Sequence, residues 1–193
     1  MEKLELLKKE IKYIKDENIR KSLEVMINKL PDYFFEVAAS STGKYHPEYA
    51  LGSGGLLRHT KAAACIAYLL LQDPAIADKY TTHEQDLMIM GILLHDGLKH
   101  GKEMEKYVKF EHPLLMAEYI EENKKELFLS NEDIELVKTV IASHMGPWTK
   151  DYNGNEVLPK PKSKWQNFVH MCDYLASRKQ ILFKFDSENN IIE

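Results

Sequence analysis

From Leu4 onward, apolar side chains return at steps of three and four (Leu4, Leu7, Ile11, Ile14) with Lys and Glu in the gaps. That spacing predicts an amphipathic opening helix. A second stripe, Ile19, Leu23, Met26, Ile27 and Leu30, runs up to Pro31, which can open a short helix carrying Tyr33, Phe34, Phe35 and Val37. From Ser40 to Gly55 the periodicity stops; Ser, Gly, Tyr and Pro predict a loop leading to a helix over about Gly55 to Gln72. Thr81 or Thr82, followed three residues later by Glu84 or Gln85, makes a capping box for a helix that continues through LMIMGILL to about Lys99. This is the most apolar helix of the chain. Pro113 opens the next, through Ala117 and Ile120. Ser130 with Asp133 caps another, through Ile134, Val137, Val140 and Ile141, which stops near Gly146. Pro147 to Pro161 is a loop. Ser163 and Gln166 then box the last long helix, which bears Phe168, Val169, Cys172, Leu175 and Ala176 and ends near Gln180. The tail ILFKFDSENNIIE sets two apolar runs around a polar turn, which suits a small hairpin, an edge piece or a frayed end.

The sum is an all-α chain of about seven helices. Residues 1–193 form a single domain with the N-terminal helices 1–40 packed on it, since no repeat, low-complexity tract or linker marks a second unit. A content of 44% hydrophobic and 29% charged residues excludes a disordered chain, a collagen-like fibre and a membrane bundle. Lys plus Arg is 26 against 30 for Asp plus Glu, a formal charge of −4, so any polyanionic substrate must be captured locally. The cysteines, Cys65 and Cys172, lie far apart without metal-type spacing and suit a reducing cytoplasm. The charged N-terminus has no apolar core and no stretch is long enough to span a bilayer, so export and membrane insertion are not expected.

Candidate chemistry centres on the eight histidines. His95-Asp96 is weak evidence as a dipeptide. It directly follows GILL on the most apolar helix, however, and burying both side chains without partners costs several kcal/mol. Capping or hydrogen bonding within the core is one resolution; a metal is another. Further polar residues sit at helix ends: His59 in GGLLRHT, His112 before Pro113, and His144 in VIASHMG, with Asp173 mid-helix in VHMCDYLASR. Imidazole and carboxylate together suit Mn²⁺, Fe²⁺, Co²⁺, Ni²⁺ or Zn²⁺ without a thiolate.

The ordered series His59, His95-Asp96, His112, His144 and Asp173, with LLHDGLK at its centre, resembles the HD superfamily of metal-dependent phosphohydrolases over roughly residues 45–180. The resemblance implies an all-helical domain in which His59, His95, Asp96 and Asp173 hold one divalent ion. It also implies a second ion held by His112 and His144, with Asp96 bridging the pair. GGLLRHT, ASHMGPW and the spacing to CDYLAS look most like the branch containing 3′-to-5′ exoribonucleases. One departure stands out: many members read His-Asp-Ile-Gly-Lys, whereas this chain reads His95-Asp96-Gly97-Leu98-Lys99, the glycine moved forward by one.

The chemistry expected of such a pair of ions is activation of water and neutralisation of phosphoryl oxygens, with Asp96 and Lys99 as catalytic residues. Lys99, one helical step from Asp96, can reach a phosphate oxygen, though a lysine at a helix C-terminus also has a purely electrostatic explanation. Arg58, Arg178 and Trp148 are further substrate-binding candidates. Each has an ordinary reading as a surface or covering residue. Trp148 and Tyr152 can stack on a base, and Lys160, Lys162 and Lys164 can follow a nucleic-acid backbone or simply face solvent. His170, one helical step before Asp173, can orient a ligand; His46, His83 and His100 read as ordinary exposed residues. The expected activity is hydrolysis of a phosphate ester or phosphodiester of a nucleotide or short oligonucleotide. The competing reading is a nucleotide-binding or regulatory module without turnover. The opening stripe can also serve a homodimer contact if it does not pack internally.

Overall fold

In the computed structural model, which describes residues 2–40, 43 and 46–192, the opening stripe folds as two single turns, α1 (Lys3–Leu6) and α2 (Lys8–Ile11). The two are parted at Leu7, whose φ of −118° is not helical. Asp16 caps α3 (Glu17–Lys29) by accepting from the N–H groups of Asn18 and Ile19. Pro31 then admits only a short 3₁₀ turn over Asp32–Phe35. α4 (Gly55–Leu70) follows the loop. Asp73 caps α5 (Pro74–Ala77), one turn that periodicity could not reveal. The Thr81/Glu84 box opens α6 (Thr82–Leu94), Pro113 sits in the first turn of α7 (His112–Asn123), and the Ser130/Asp133 and Ser163/Gln166 boxes open α8 (Asn131–Ala142) and α9 (Lys164–Ala176). Among the described residues the fold is all-α, with pairing between extended segments limited to single antiparallel bridges at Lys150–Glu156 and Phe185–Ile191.

α6 lies at the centre, buried from Asp86 to Leu94, with α3, α4, α8 and α9 packed around it and α7 laid against α8. Leu7, Ile11, Ile14, Leu23 and Met26 join the same core as Leu93, Val140 and Val169. The opening stripe therefore packs internally. The Asp86 carboxylate, itself buried, accepts from the N–H groups of Lys15 at 3.0 Å and Asp16 at 2.7 Å, which ties the N-terminal segment to α6. The tail is a single-bridge turn strapped to α4. Asn190 Oδ1 accepts from Lys61 Nζ at 3.1 Å, and Phe183 and Phe185 pack on Tyr49.

Candidate metal centre

α6 ends at Leu94 instead of running to Lys99, because the backbone tightens: Gly97 N–H donates to Leu94 C=O and Lys99 N–H to Asp96 C=O, each a three-residue step. A Cβ on Gly97 would lie 2.6 Å from Leu30 Cδ2 and 2.9 Å from Met116 Sδ, so only glycine lets this turn pass beneath the N-terminal segment. Tyr33 holds the turn's far side, accepting from His100 N–H at 3.1 Å and donating to Gly101 C=O at 2.5 Å.

The tightened turn sets His95 and Asp96 beside histidines from other helices, and three of them are aimed by the same device. Nδ1 of His95 lies 2.6 Å from Ile92 C=O, that of His112 2.6 Å from Lys109 C=O, and that of His144 2.8 Å from Ile141 C=O. A carbonyl only accepts, so each Nδ1 donates to it and each Nε2 is turned toward the cluster. At the end of α8 the Ile141 carbonyl also accepts from His144 N–H at 3.2 Å, so backbone and imidazole of one residue close the last turn together. The Nε2 atoms converge on Asp96: His112 at 3.0 Å and His144 at 3.7 Å from Oδ1, His95 at 3.4 Å from Oδ2. On the other side Asp173 Oδ1 lies 2.9 Å from His59 Nε2 and 3.5 Å from His95 Nε2. All six residues of the ordered series meet. Two overlapping triads, His59–His95–Asp173 and His95–Asp96–His144, each bring their ligand atoms within 4.8 Å of one another.

The donor set fits divalent ions. His59 Nδ1, His95 Nε2 and Asp96 Oδ1 are buried without a hydrogen bond, even though His112 Nε2 is 3.0 Å from the last. Atoms that approach this closely without bonding behave as ligands awaiting a common partner. Burial resists ionisation of Asp96, yet Lys99 and His95 hold its carboxyl well below the usual range; His59 and His95 do the same for Asp173. Burial equally resists charge on His95, but the two carboxylates overcome it and raise its pKa to about 10. Burial, then the neighbouring His95, pushes His144 down to about 3, so its imidazole is neutral. To serve as a ligand, His95 would have to give up its Nε2 proton.

Above the cluster a cavity of about 520 Å³ opens, with Asp96, His112, His144 and Asp173 on its lining. Lys99, nearly buried, donates to Asp96 Oδ2 and also faces the cavity. Trp148 and Arg178 line it as well. Arg58 does not. Its guanidinium, expected at a substrate, donates to Tyr49 C=O, Leu51 C=O and Asn189 Oδ1. Tyr152 is fully exposed and, like the three lysines, is absent from the lining; Lys160 pairs with Glu156 and Lys164 with Glu84. His170 donates from Nδ1 to His144 C=O at 2.7 Å.

Two histidines expected at the surface are not there. His100 is buried against Tyr33, and His46 lines the cavity with its ring 5.3 Å from that of His59. Burial, with His59 and Lys99 nearby, depresses the His46 pKa to about 3. Tyr174 on the cavity wall also escaped the sequence reading. The available signal was its position after Asp173 and four residues before Arg178, whose guanidinium stacks on it at 4.3 Å.

A family model described as HD domain matches residues 56–178. Two curated relatives, each named 3′-5′ exoribonuclease YhaM, come from Listeria innocua serovar 6a and Listeria welshimeri serovar 6b. Each is 25% identical over 180 residues, which cover 89% of this chain and 52% of the relative. The chain thus spans about half the length of the curated relatives it matches. No solved structure matches it significantly.

Proposed function

Because the chain belongs to the HD domain family, we propose that it is a metal-dependent phosphohydrolase that cleaves a phosphate ester or phosphodiester of a nucleotide or short oligonucleotide. The observation that carries this reading is the six-residue His–Asp cluster beneath a cavity, with His95 Nε2 and Asp96 Oδ1 buried and without a hydrogen bond. His59, His95, Asp96 and Asp173 would hold one divalent ion; His112 and His144 would hold a second, with Asp96 between them. Bound there, divalent ions supply Lewis acidity, which acidifies water and offsets charge on the phosphoryl oxygens. The protein's own part is positional. The three carbonyl-locked imidazoles keep their Nε2 atoms aimed at the cluster, and Asp96 stays ionised because Lys99 and His95 neutralise it. Lys99, between Asp96 and the cavity, is the cation nearest an incoming phosphate and orients it as a point charge.

The relatives' printed activity, 3′-5′ exoribonuclease, supports a nucleotide-containing substrate. No described helix is long and apolar enough to cross a membrane. The test is hydrolysis of nucleoside mono- and triphosphates, cyclic mono- and dinucleotides and a short single-stranded RNA, each with Mn²⁺ and with EDTA. Asp96→Asn, which keeps the side chain's shape, should lower turnover by at least about 10²-fold while the circular-dichroism spectrum is retained. Equal turnover in the variant, or tight nucleotide binding without product from metal-loaded protein, rejects the mechanism.

A further inference from the structure

One wall of the cavity is aromatic. Trp148 lies nearly parallel to Tyr174, at 14° with centroids 6.0 Å apart, and the Arg178 guanidinium covers Tyr174. The Trp148 side of this stack is open, with the indole residue 52% exposed at the rim of a cavity whose floor is the histidine–aspartate cluster. An aromatic face held half open beside a polar floor suits an amphipathic ligand with one flat apolar end and one anionic end.

The wall is also mounted on the metal centre. Trp148 follows the ligand His144 by four residues, and the loop between them turns at Gly146, whose φ is +66°. Gly146 sits directly against the His170 ring, which donates to His144 C=O and meets both Trp148 and Tyr174 at 6.1 Å. Arg178 is committed to this assembly, since its guanidinium also donates to Ser177 Oγ and Tyr174 C=O. It braces the stack and is a positioning residue. Among the described residues, Lys160 and Lys164 are paired with carboxylates and, with Lys162, stand off the lining.

We propose that Trp148, stacked on Tyr174, is a nucleobase platform, and that the cavity takes one nucleotide with its base on the indole and its phosphate ester at the His–Asp cluster. The proposal rests on the phosphohydrolase reading and narrows it to a single nucleotide unit. Stacking on an aromatic face is tolerant of base identity, so all four bases are accepted.

The experiment compares each nucleoside 5′-monophosphate with ribose 5-phosphate, which has the same ester and no base, in parent, Trp148→Ala and Trp148→Phe proteins. The parent should favour the nucleotides in kcat/KM, mainly through KM. Trp148→Ala should shrink that preference by about 10- to 100-fold, the worth of one base–aromatic stack, and Trp148→Phe should restore most of it. A preference that survives the alanine change, or equal losses on both substrates, overturns the platform, as does a parent that prefers an oligonucleotide of several units to any mononucleotide. A second readout separates this proposal from the hydrolase reading: quenching of Trp148 fluorescence by AMP in EDTA. Quenching that Trp148→Phe abolishes supports the platform even if no ester is cleaved; its absence overturns it.

Discussion

Gly146→Ala tests how firmly the ligand loop is seated. At φ +66° any L-residue costs about 1 kcal/mol or slightly more. The added methyl would also lie within 2.5 Å of three His170 ring atoms, so the ring must leave. Its departure breaks the hydrogen bond to His144 C=O, worth about 1 kcal/mol, and the displaced packing adds about 1 to 3 kcal/mol more. The sum is about 3 to 5 kcal/mol. Gly154→Ala supplies the internal control: its φ is +83°, but nothing lies within 4 Å of the new methyl, so only the backbone term of about 1 to 2 kcal/mol applies. Urea unfolding of the metal-free proteins measures the difference. With a slope near 2 kcal/mol/M, the Gly146 variant should unfold about 1 M earlier than the Gly154 variant. Midpoints within about 0.3 M of each other would refute the claim that the loop rests on His170.

In EDTA the cluster should make stability peak near pH 6.5. His95, raised to about 10, contributes fully below 6.5 and loses its contribution as pH climbs toward 10; His46 and His144, lowered to about 3, are neutral when folded and weaken the fold as pH falls from 6.5 toward 3. Thermal midpoints at pH 5, 6.5 and 9 check this, and a midpoint highest at pH 9 contradicts it. Arg58→Ala should release the tail from α4, destabilise the chain by about 1 to 3 kcal/mol and speed proteolysis within residues 181–192. KM for the hydrolysed ester should stay within about twofold; a larger rise would return Arg58 to the substrate site.

Helix starts were legible where a capping box marks them, as at Thr81, Ser130 and Ser163, because the cap and its partner are three residues apart; the lone Asp16 and Asp73 caps were not read. Helix ends were not: Leu94 and Ala142 are last turns closed by His95 and His144, whose side chains take over carbonyl bonding in a way no local pattern announces. The six clustered residues could be named in order from their motifs, but their approach to a few ångströms belongs to packing. The same limit hid His46 and His100, whose partners His59 and Tyr33 lie 13 and 67 residues away, and it hid the bonds that turn Arg58 from the cavity to the tail.

The glycine displaced by one in His95-Asp96-Gly97-Leu98-Lys99 passes under Leu30, outside the stretch that the family model matches. With Tyr33 gripping Gly101 and Asp86 holding the N–H groups of Lys15 and Asp16, the first 35 residues act as the roof over the ligand turn. Trimming the chain to residues 56–178 would strip that roof, baring the Leu30 contact and a buried carboxylate together. The smallest piece that keeps the His–Asp cluster in place is therefore larger than the piece that carries its six residues.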